Sequence, residues 1–261
     1  MNQKVVVITG GSAGIGAALG EEVGRRGGRV VLAARREREL EEARGRAGAE
    51  AIAVVADVTR REDSQKILDA ALARFGQVDV WVNNAGRGIT RPVSQLTDED
   101  IDQMMLVNVK SALYGIQAVL PHFRQRRQGH VINVSSMLGR VPFAVVRSAY
   151  SAAKHALNSL TANLRMELRP EFPDIHVTCV LPGVVATDFG KAALHGGPDS
   201  RALPGAQPVA EVAAVIADAI ETPRADVYTR PEFRSVVAGY YAAEDLGELE
   251  SRPPFAAPPR P

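Results

Sequence analysis

A tyrosine and a lysine four residues apart are the strongest candidates for chemistry in this sequence. Tyr150 and Lys154 stand near the start of the stretch Ala149 to Arg169, which has apolar residues at helical spacing and no glycine or proline. Residues four apart lie on one helix face, so the phenol and the ammonium can point to the same place. A nearby cation favours the phenolate and brings the phenol pKa, ordinarily about 10, closer to neutrality. The pair is therefore a candidate for proton transfer, although taken alone such a pair is more often a half-buried tyrosine beside a solvated lysine.

Composition narrows the class of protein that can carry this pair. The chain has 261 residues, of which 46% are hydrophobic and 23% charged, and this suits one large globular domain or at most two small ones. The net charge of +1 gives no reason to expect nucleic acid or an anionic membrane as a partner. One cysteine, Cys179, cannot form an internal disulfide and lies in an apolar run typical of a buried strand. The histidines lack metal-ligand spacing, so no metal site is expected; they are His122, His130, His155, His176 and His195.

The sequence gives no reason to expect a membrane span or an export signal. No apolar run reaches the eighteen residues that a membrane span needs, and the first residues lack a signal-peptide pattern. We therefore expect a cytoplasmic protein. The proline-rich residues from Ser251 onward are expected to be a disordered tail, with a proline-motif ligand as the alternative.

A glycine-rich turn between a strand and a helix is the second chemical feature. A β-branched run, Lys4 to Thr9, leads into Gly10-Gly11-Ser12-Ala13-Gly14-Ile15-Gly16, and Ala17 to Arg26 has helical character. Glycines let the backbone approach a phosphate closely, and a helix N-terminus offers it unpaired N–H groups and partial positive charge. The context of strand, turn and helix predicts a site for a pyrophosphate, with a purely structural turn as the alternative.

Two arginines stand where a dinucleotide-binding unit would have an acidic residue. Arg35 and Arg36 follow the strand Arg29 to Ala34 and precede the charged helix Glu37 to Arg46. A carboxylate there would bind the ribose 2′-hydroxyl of NAD, whereas guanidinium groups suit the 2′-phosphate of NADP. The sequence therefore favours NADP, with Arg35 as the better candidate because it directly follows the strand; a solvated basic cluster is the alternative.

Strands alternate with helices along the rest of the chain. This rhythm predicts an α/β protein with a single doubly wound parallel sheet and helices on both faces. Further strands are expected at Ala51–Ala56, Val78–Val82, His130–Val134, Ile175–Leu181 and Asp226–Tyr228. Capping boxes at Thr59/Glu62 and Thr97/Asp100 open helices that run to Phe75 and to about Arg124, and another helix spans Val209–Glu221.

Small and polar residues follow several of these strands, at the edge where parallel sheets bind ligands. Four such segments come directly after expected strands: Asp57-Val58, Asn83-Asn84-Ala85-Gly86, Ser135-Ser136 and Pro182-Gly183. Asn108 is different, because it stands inside an apolar helical stretch and needs a hydrogen-bond partner there. Residues 186–207, rich in glycine and proline, are expected to form a lid over the substrate.

Taken together, these motifs resemble the short-chain dehydrogenase/reductase family from about Lys4 to Tyr228. The resemblance implies a Rossmann fold, a nicotinamide dinucleotide, and a homodimer or homotetramer. It also implies a catalytic set in which Tyr150 exchanges a proton with the substrate oxygen, Ser136 donates a hydrogen bond to that oxygen, Lys154 holds the nicotinamide ribose and Asn108 orders a water. The cofactor-binding residues that it implies, together with Tyr150 and Lys154, are Thr9, Gly10, Ser12, Ala13, Gly14, Ile15, Gly16, Arg35, Arg36, Asp57, Val58, Asn84, Ala85, Gly86, Pro182, Gly183, Val185 and Thr187.

The expected function is that of an NADP-dependent oxidoreductase that interconverts a ketone or aldehyde and an alcohol, with NADPH preferred over NADH. Apolar residues after the active serine favour an apolar substrate, with core or subunit-contact residues as the alternative: Met137, Leu138, Val141, Phe143, Val145, Val146, Phe189 and Leu194. One alternative is a dinucleotide-binding sensor or scaffold without turnover. Another is a reductase of carrier-bound 3-oxoacyl groups, for which the basic run Arg124 to Arg127 would dock an acidic carrier, unless it is only a charged helix end.

Overall fold

The sheet is built from the strands that the sequence predicts, and the helices cover its two faces. The computed structural model describes residues 1, 3–252 and 255. The strands are β1 Val5–Thr9, β2 Arg29–Ala34, β3 Ala51–Val55, β4 Val80–Asn83, β5 Gly129–Val134, β6 Ile175–Leu181 and β7 Asp226–Tyr228. The helices are α1 Gly14–Arg25, α2 Glu37–Ala47, α3 Arg61–Phe75, α4 Asp98–Met105, α5 Ser111–Arg126, α6 Ser148–Leu168, α7 Val209–Glu221, α8 Glu232–Tyr241 and α9 Leu246–Glu250.

All seven strands run parallel in the order β3-β2-β1-β4-β5-β6-β7. The chain moves outward from β1 to β3 and then returns to the other side of β1 with β4, so the strand order reverses between β1 and β4. Two large apolar clusters lie on opposite faces of this sheet, one against α1, α2 and α7 and the other against α3, α5 and α6. The predicted doubly wound sheet is confirmed, and a ligand crevice is expected at the reversal.

The two predicted capping boxes have different outcomes. Thr97 and Asp100 form theirs at the start of α4 as expected. The box predicted at Thr59 and Glu62 is wrong, because helix α3 starts at Arg61 and its N-cap is Arg60, which makes no side-chain cap. The Thr59 hydroxyl donates to the Asp57 carboxylate at 2.7 Å instead.

The predicted long helix from Thr97 to about Arg124 is interrupted. Its middle, Leu106–Lys110, is a π-helical turn between α4 and α5. Such a turn widens the helix by one residue and commonly marks a functional position. Asn108 lies at the centre of this turn and is 1% exposed.

The C-terminal part holds helices that the sequence did not predict. Helices α8 and α9 follow β7, where the domain was expected to close. Helix α8 brings the Phe233 ring so close to Gly183 that a Cβ on this glycine would lie 2.5 Å from the ring. From residue 253 on, and apart from Phe255, the expected disordered tail lies outside the described residues. No helix in the described part of the chain has the length and apolar character that a membrane crossing requires.

Candidate active site

A cleft of about 1350 Å³ opens at the carboxyl ends of the strands, on the side of the β1–β4 reversal. Most of the predicted site residues line it, although they come from loops that are far apart in the sequence. Those lining it are Gly10, Ser12, Ala13, Gly14, Ile15, Arg35, Arg36, Asp57, Val58, Asn84, Ala85, Gly86, Ser136, Tyr150, Lys154, Pro182, Gly183, Val185 and Thr187. Three predicted residues, Thr9, Gly16 and Asn108, lie behind the wall instead.

The glycine loop, residues 10–16, forms one end of the cleft. Gly10 and Gly14 have φ values of +68° and +55°, which residues other than glycine rarely adopt. Ala13 caps α1 without a side-chain bond, so the first N–H groups of this helix are left for a ligand. Gly14 faces Thr187 across the gap, since a Cβ on Gly14 would lie 3.4 Å from the Thr187 methyl group. This narrow, backbone-lined cradle fits the pyrophosphate of a dinucleotide.

Thr9 and Gly16 connect the glycine loop to the loop that follows β4. The Thr9 hydroxyl accepts hydrogen bonds from the backbone N–H groups of Asn84 and Ala85, at 3.0 and 3.1 Å. The Asn84 amide in turn donates to the Thr9 carbonyl at 2.9 Å. A Cβ on Gly16 would lie 2.6 Å from that amide nitrogen and would also clash with the Gly10 carbonyl. Thr9 and Gly16 thus hold two loops together, and their contact with the cofactor stays a prediction.

The two arginines lie at the far side of the loop. Arg36 donates to the Ser12 hydroxyl at 3.1 Å, which places its guanidinium directly beside the glycine loop. Arg35 is more exposed, and its Nη1 lies 3.7 Å from an Asp57 carboxylate oxygen. The pKa of Asp57 is lowered although burial opposes the shift, because Thr59 and Arg35 stabilise its charged form. A guanidinium pair and one carboxylate thus border the outer end of the cleft.

Tyr150 and Ser136 meet at the inner end. Tyr150 is on the first turn of α6 and is 7% exposed. Ser136 follows β5 and caps the short turn Met137–Gly139, accepting from the Leu138 N–H at 3.1 Å. The neighbouring hydroxyl of Ser135 donates to the Lys154 carbonyl at 3.4 Å and is turned toward α6. Of the two adjacent serines, Ser136 is thus the one whose hydroxyl acts on the phenol, and it lowers the phenol pKa.

Lys154 is almost fully buried, at 3% exposure. Its Nζ donates to the Val134 carbonyl at 2.9 Å and lies 5.6 Å from the centroid of the Tyr150 ring. Burial lowers the pKa of Lys154 to about 8, because a buried ammonium loses its hydration. The helical spacing therefore brings both side chains to one cleft wall, as predicted.

The expected direction of the Tyr150 pKa shift is wrong in this structure. Burial raises the pKa to about 12, and this exceeds the lowering by the Ser136 hydroxyl and by the positive charge of Arg147. The cation that acts on the phenol is thus Arg147 rather than Lys154. Desolvation outweighs charge here because the phenolate would be removed from water on nearly all sides.

Asn108 has the hydrogen-bond partners that its position demands. Its amide nitrogen donates to the carbonyls of Arg87 and Met104, at 3.0 and 3.1 Å, and its oxygen accepts from the Arg87 N–H at 3.2 Å. The side chain therefore ties the π-helical turn to the loop that follows Gly86. A Cβ on Gly86 would lie 2.9 Å from the Asn108 oxygen and 3.6 Å from the Lys154 nitrogen, so this glycine leaves the space between them open.

The substrate side of the cleft is only partly the set that the sequence suggested. Met137, Leu138, Phe143 and Phe189 line it. Val141 is buried in the interior, whereas Val145 and Val146 are exposed at 65% and 45%. Leu194 pairs with Ile89 and holds the 186–207 segment to the neighbouring loop.

Arg147 also lines the cleft, and sequence reasoning missed it. Its one visible signal is its place three residues before Tyr150, which puts it at the end of α6 that carries the tyrosine.

The basic run at the end of α5 is a charged helix end. Arg124 pairs with Glu167 at 3.0 Å and Arg126 with Asp79 at 2.9 Å. Arg127 donates to the Glu171 carbonyl at 2.8 Å. Two of these three guanidinium groups are paired with carboxylates of the chain, which favours the charged helix end over a docking site for an acidic carrier.

Known proteins are similar to this chain in sequence and in fold. A family model described as short chain dehydrogenase matches residues 4–196. An uncharacterized oxidoreductase of Listeria monocytogenes is 37% identical over 193 residues, which cover 72% of this chain and 77% of that one. A short-chain dehydrogenase/reductase from Burkholderia phymatum, crystallised with NAD, has a TM-score of 0.85 at 26% identity and 98% coverage of both chains. An alcohol dehydrogenase from the archaeon Thermococcus sibiricus, in complex with 5-hydroxy-NADP, has a TM-score of 0.74 at 27% identity, covering 87% of this chain and 95% of that one.

The matched region contains the glycine loop, Asn108, Ser136, Tyr150 and Lys154. The sheet order, the cradle and the position of the tyrosine agree with that match. The chain therefore belongs to the short-chain dehydrogenase/reductase family and is a NAD(P)-dependent oxidoreductase.

Proposed function

We propose that the protein interconverts a ketone or aldehyde and an alcohol with NADP as the cofactor, and that Tyr150 is its general acid and base. The observation that carries this proposal is the shared cleft. Tyr150 and Ser136 lie at one end of the space whose other end is the glycine loop. A substrate oxygen at the phenol would then be next to the nicotinamide end of a dinucleotide whose pyrophosphate rests on Gly14.

The residues that would hold the cofactor follow the length of the cleft. The N–H groups after Ala13 would bind the pyrophosphate, and Arg35 and Arg36 would bind the 2′-phosphate, since a guanidinium fork matches its oxygens. Asp57 and Val58 would border the adenine, and Lys154 the nicotinamide ribose. The remaining contacts would come from the loops after β4 and β6: Asn84, Ala85, Gly86, Pro182, Gly183, Val185 and Thr187. When bound, the nicotinamide supplies or accepts the hydride, which no side chain can replace.

The side chains handle the proton and the developing charge. In the reductive direction the Tyr150 phenol gives its proton to the substrate oxygen as negative charge develops there. The raised pKa of Tyr150, about 12, keeps the phenol protonated at neutral pH before this step. Ser136 donates a hydrogen bond to the same oxygen and so stabilises the charge that develops there. In the oxidative direction the same groups act in reverse.

The walls around the phenol favour an apolar body for the substrate. The Phe189 ring lies 5.5 Å from the Tyr150 ring, edge to face, and Phe143 and Leu138 line the same region. Phe189 belongs to the 186–207 segment. We propose that this segment is the substrate lid, because it carries an aromatic ring directly over the reacting group.

The test is to replace Tyr150 by Phe and to follow NADPH absorbance over a panel of ketones and aldehydes. Because general acid–base catalysis contributes roughly 10²- to 10⁴-fold, kcat should fall by at least about 100-fold while NADPH binding, measured by its fluorescence, stays within about threefold. Tyr114→Phe is the matched control, since this phenol lies on α5 outside the cleft. Unchanged turnover of the Tyr150→Phe enzyme would refute the proposal. Binding of NADPH without turnover of any carbonyl by the wild type would favour the sensor alternative.

A further inference from the structure

A half-buried guanidinium without an acidic partner lies at the substrate end of the cleft. Most arginines of the described residues have a carboxylate within 4.0 Å, as Arg91 has in Asp100 and Arg140 has in Asp226. Arg147 forms no such pair within the described part of the chain. Its one side-chain hydrogen bond there goes from Nη1 to the Ile89 carbonyl, at 3.1 Å. Four of its five N–H donors therefore stay free for something else.

The surroundings of Arg147 shield part of its charge from bulk water, while the residue still lines the cleft. A Cβ on Gly88 would lie 3.0 Å from Nη1, and one on Gly197 would lie 3.3 Å from Nη2. Two glycines thus flank the guanidinium, one from the loop after β4 and one from the 186–207 segment. Burial lowers the pKa of Arg147, which is the cost of holding a cation there. Such a cost is ordinarily offset by a counter-charge.

Arg147 also shares its space with the reacting phenol. It is the residue before α6, and Tyr150 is the third residue of that helix. Its charge is close enough to lower the Tyr150 pKa. The Phe189 ring lies against both, 5.5 Å from the Tyr150 ring and 3.0 Å from the Cβ position of Gly88, beside Nη1. A substrate whose oxygen lies at Tyr150 would therefore extend toward this guanidinium.

We propose that Arg147 binds a carboxylate on the substrate, so that the enzyme acts on oxo acids or hydroxy acids with an apolar middle. This rests on the proposed function of the same cleft. A guanidinium offers two parallel N–H donors that match the two oxygens of a carboxylate. One guanidinium neutralises one carboxylate, and the apolar walls from Leu138, Phe143 and Phe189 accommodate the carbon chain between the acid and the carbonyl.

The test compares substrates that differ only in charge. Oxo acids from 2-oxobutanoate to 5-oxohexanoate are each assayed beside the corresponding amide, with wild type and with Arg147→Gln. For the best oxo acid, kcat/KM should fall by about 100-fold or more in Arg147→Gln, mostly through KM, and by less than about fivefold for its amide. Arg147→Lys should retain part of the preference for the acid. Arg87→Gln is the control, because this exposed arginine lines the cleft and donates to the Ala192 carbonyl.

Two results would overturn the proposal. Equally efficient reduction of acids and amides by the wild type would show that no charge is recognised. Equal losses for acid and amide in Arg147→Gln would show that Arg147 acts on the phenol or on the fold instead, and a shifted pH profile would identify the phenol.

A binding measurement separates this proposal from the proposed function. If wild type turns over no carbonyl at all, the proposed function fails. Thermal stabilisation of the NADPH-loaded enzyme by the oxo acids then still shows whether Arg147 binds a carboxylate. Stabilisation of wild type that is lost in Arg147→Gln supports the site. No stabilisation of wild type by any acid of the series refutes it.

Discussion

The Lys154 ammonium nitrogen lies 5.6 Å from the centroid of the Tyr150 ring while it donates to the Val134 carbonyl at 2.9 Å. The two side chains share a wall without an ion pair. Burial favours the uncharged form of each group, because it raises the pKa of the phenol to about 12 and lowers the pKa of the amine to about 8. The site is thus held in a largely desolvated state, where a bound ligand's charge has a strong effect.

The buried Lys154 should make the stability of the cofactor-free protein depend on pH. Its pKa is about 8 in the folded state and roughly 10.4 in the unfolded state, so the unfolded state binds more protons between these values. Stability should therefore rise with pH across this window and be lost again as pH falls through about 8. From roughly pH 7.5 to 9.5 the gain is about 2 kcal/mol.

The measurement is urea unfolding at both pH values for wild type and Lys154→Met. The variant should lack the gain. Lys110→Met, at an exposed lysine on the π-helical turn, is the control and should keep it. The same pH dependence in wild type and Lys154→Met would show that another group titrates.

Arg36 should discriminate between the two nicotinamide cofactors. Since its guanidinium is fixed beside the glycine loop by the Ser12 hydroxyl, Arg36→Gln should raise the KM for NADPH by about 10- to 100-fold and change that for NADH by less than about threefold. Arg35→Gln should act in the same direction. Initial-rate kinetics with both cofactors checks this, with the exposed Arg38→Gln on α2 as the control. A wild-type preference for NADH would contradict the 2′-phosphate assignment.

Gly16 should tolerate no side chain, although it lies inside a helix. A methyl group there would meet the Asn84 amide nitrogen and the Gly10 carbonyl, so Gly16→Ala should displace the glycine loop. We expect at least about 10-fold weaker NADPH binding and a lower melting temperature. Gly45→Ala is the matched control, because this helical glycine of α2 has open space around it and should gain about 0.5–1 kcal/mol. Equal effects at both positions, measured by thermal unfolding and NADPH fluorescence, would contradict the close packing.

Asn108 should contribute to stability as well as to activity. Asn108→Ala leaves the Arg87 N–H and carbonyl without their partner in the interior, which should cost about 3 kcal/mol in urea unfolding. Asn163→Ala removes a similar bond to the residue four positions earlier, the Ser159 carbonyl, but on an exposed face of α6, and should change stability by less than about 0.5 kcal/mol. A loss of activity without loss of stability in Asn108→Ala would restrict the residue to the water-ordering role implied by the family resemblance.

The sequence by itself determined the order of strands and helices and the edge of the sheet where the site lies. The predicted bounds of β2, β6, β7 and α7 are those of the structure, because short apolar runs and helical apolar spacing are local patterns. The glycine loop and the Tyr150–Lys154 spacing are local as well. Their chemistry follows from residue types and short distances along the chain.

Only the tertiary structure decided which polar groups are buried and what they face. The direction of the Tyr150 pKa shift, the free guanidinium of Arg147 and the place of Thr9 behind the cleft wall all depend on residues distant in the sequence. The contact of Thr59 with Asp57 and the hydrogen bonds between Asn108 and Arg87 likewise exist only in the folded chain. Desolvation and long-range contacts arise when the chain packs, and no periodicity along the sequence encodes them.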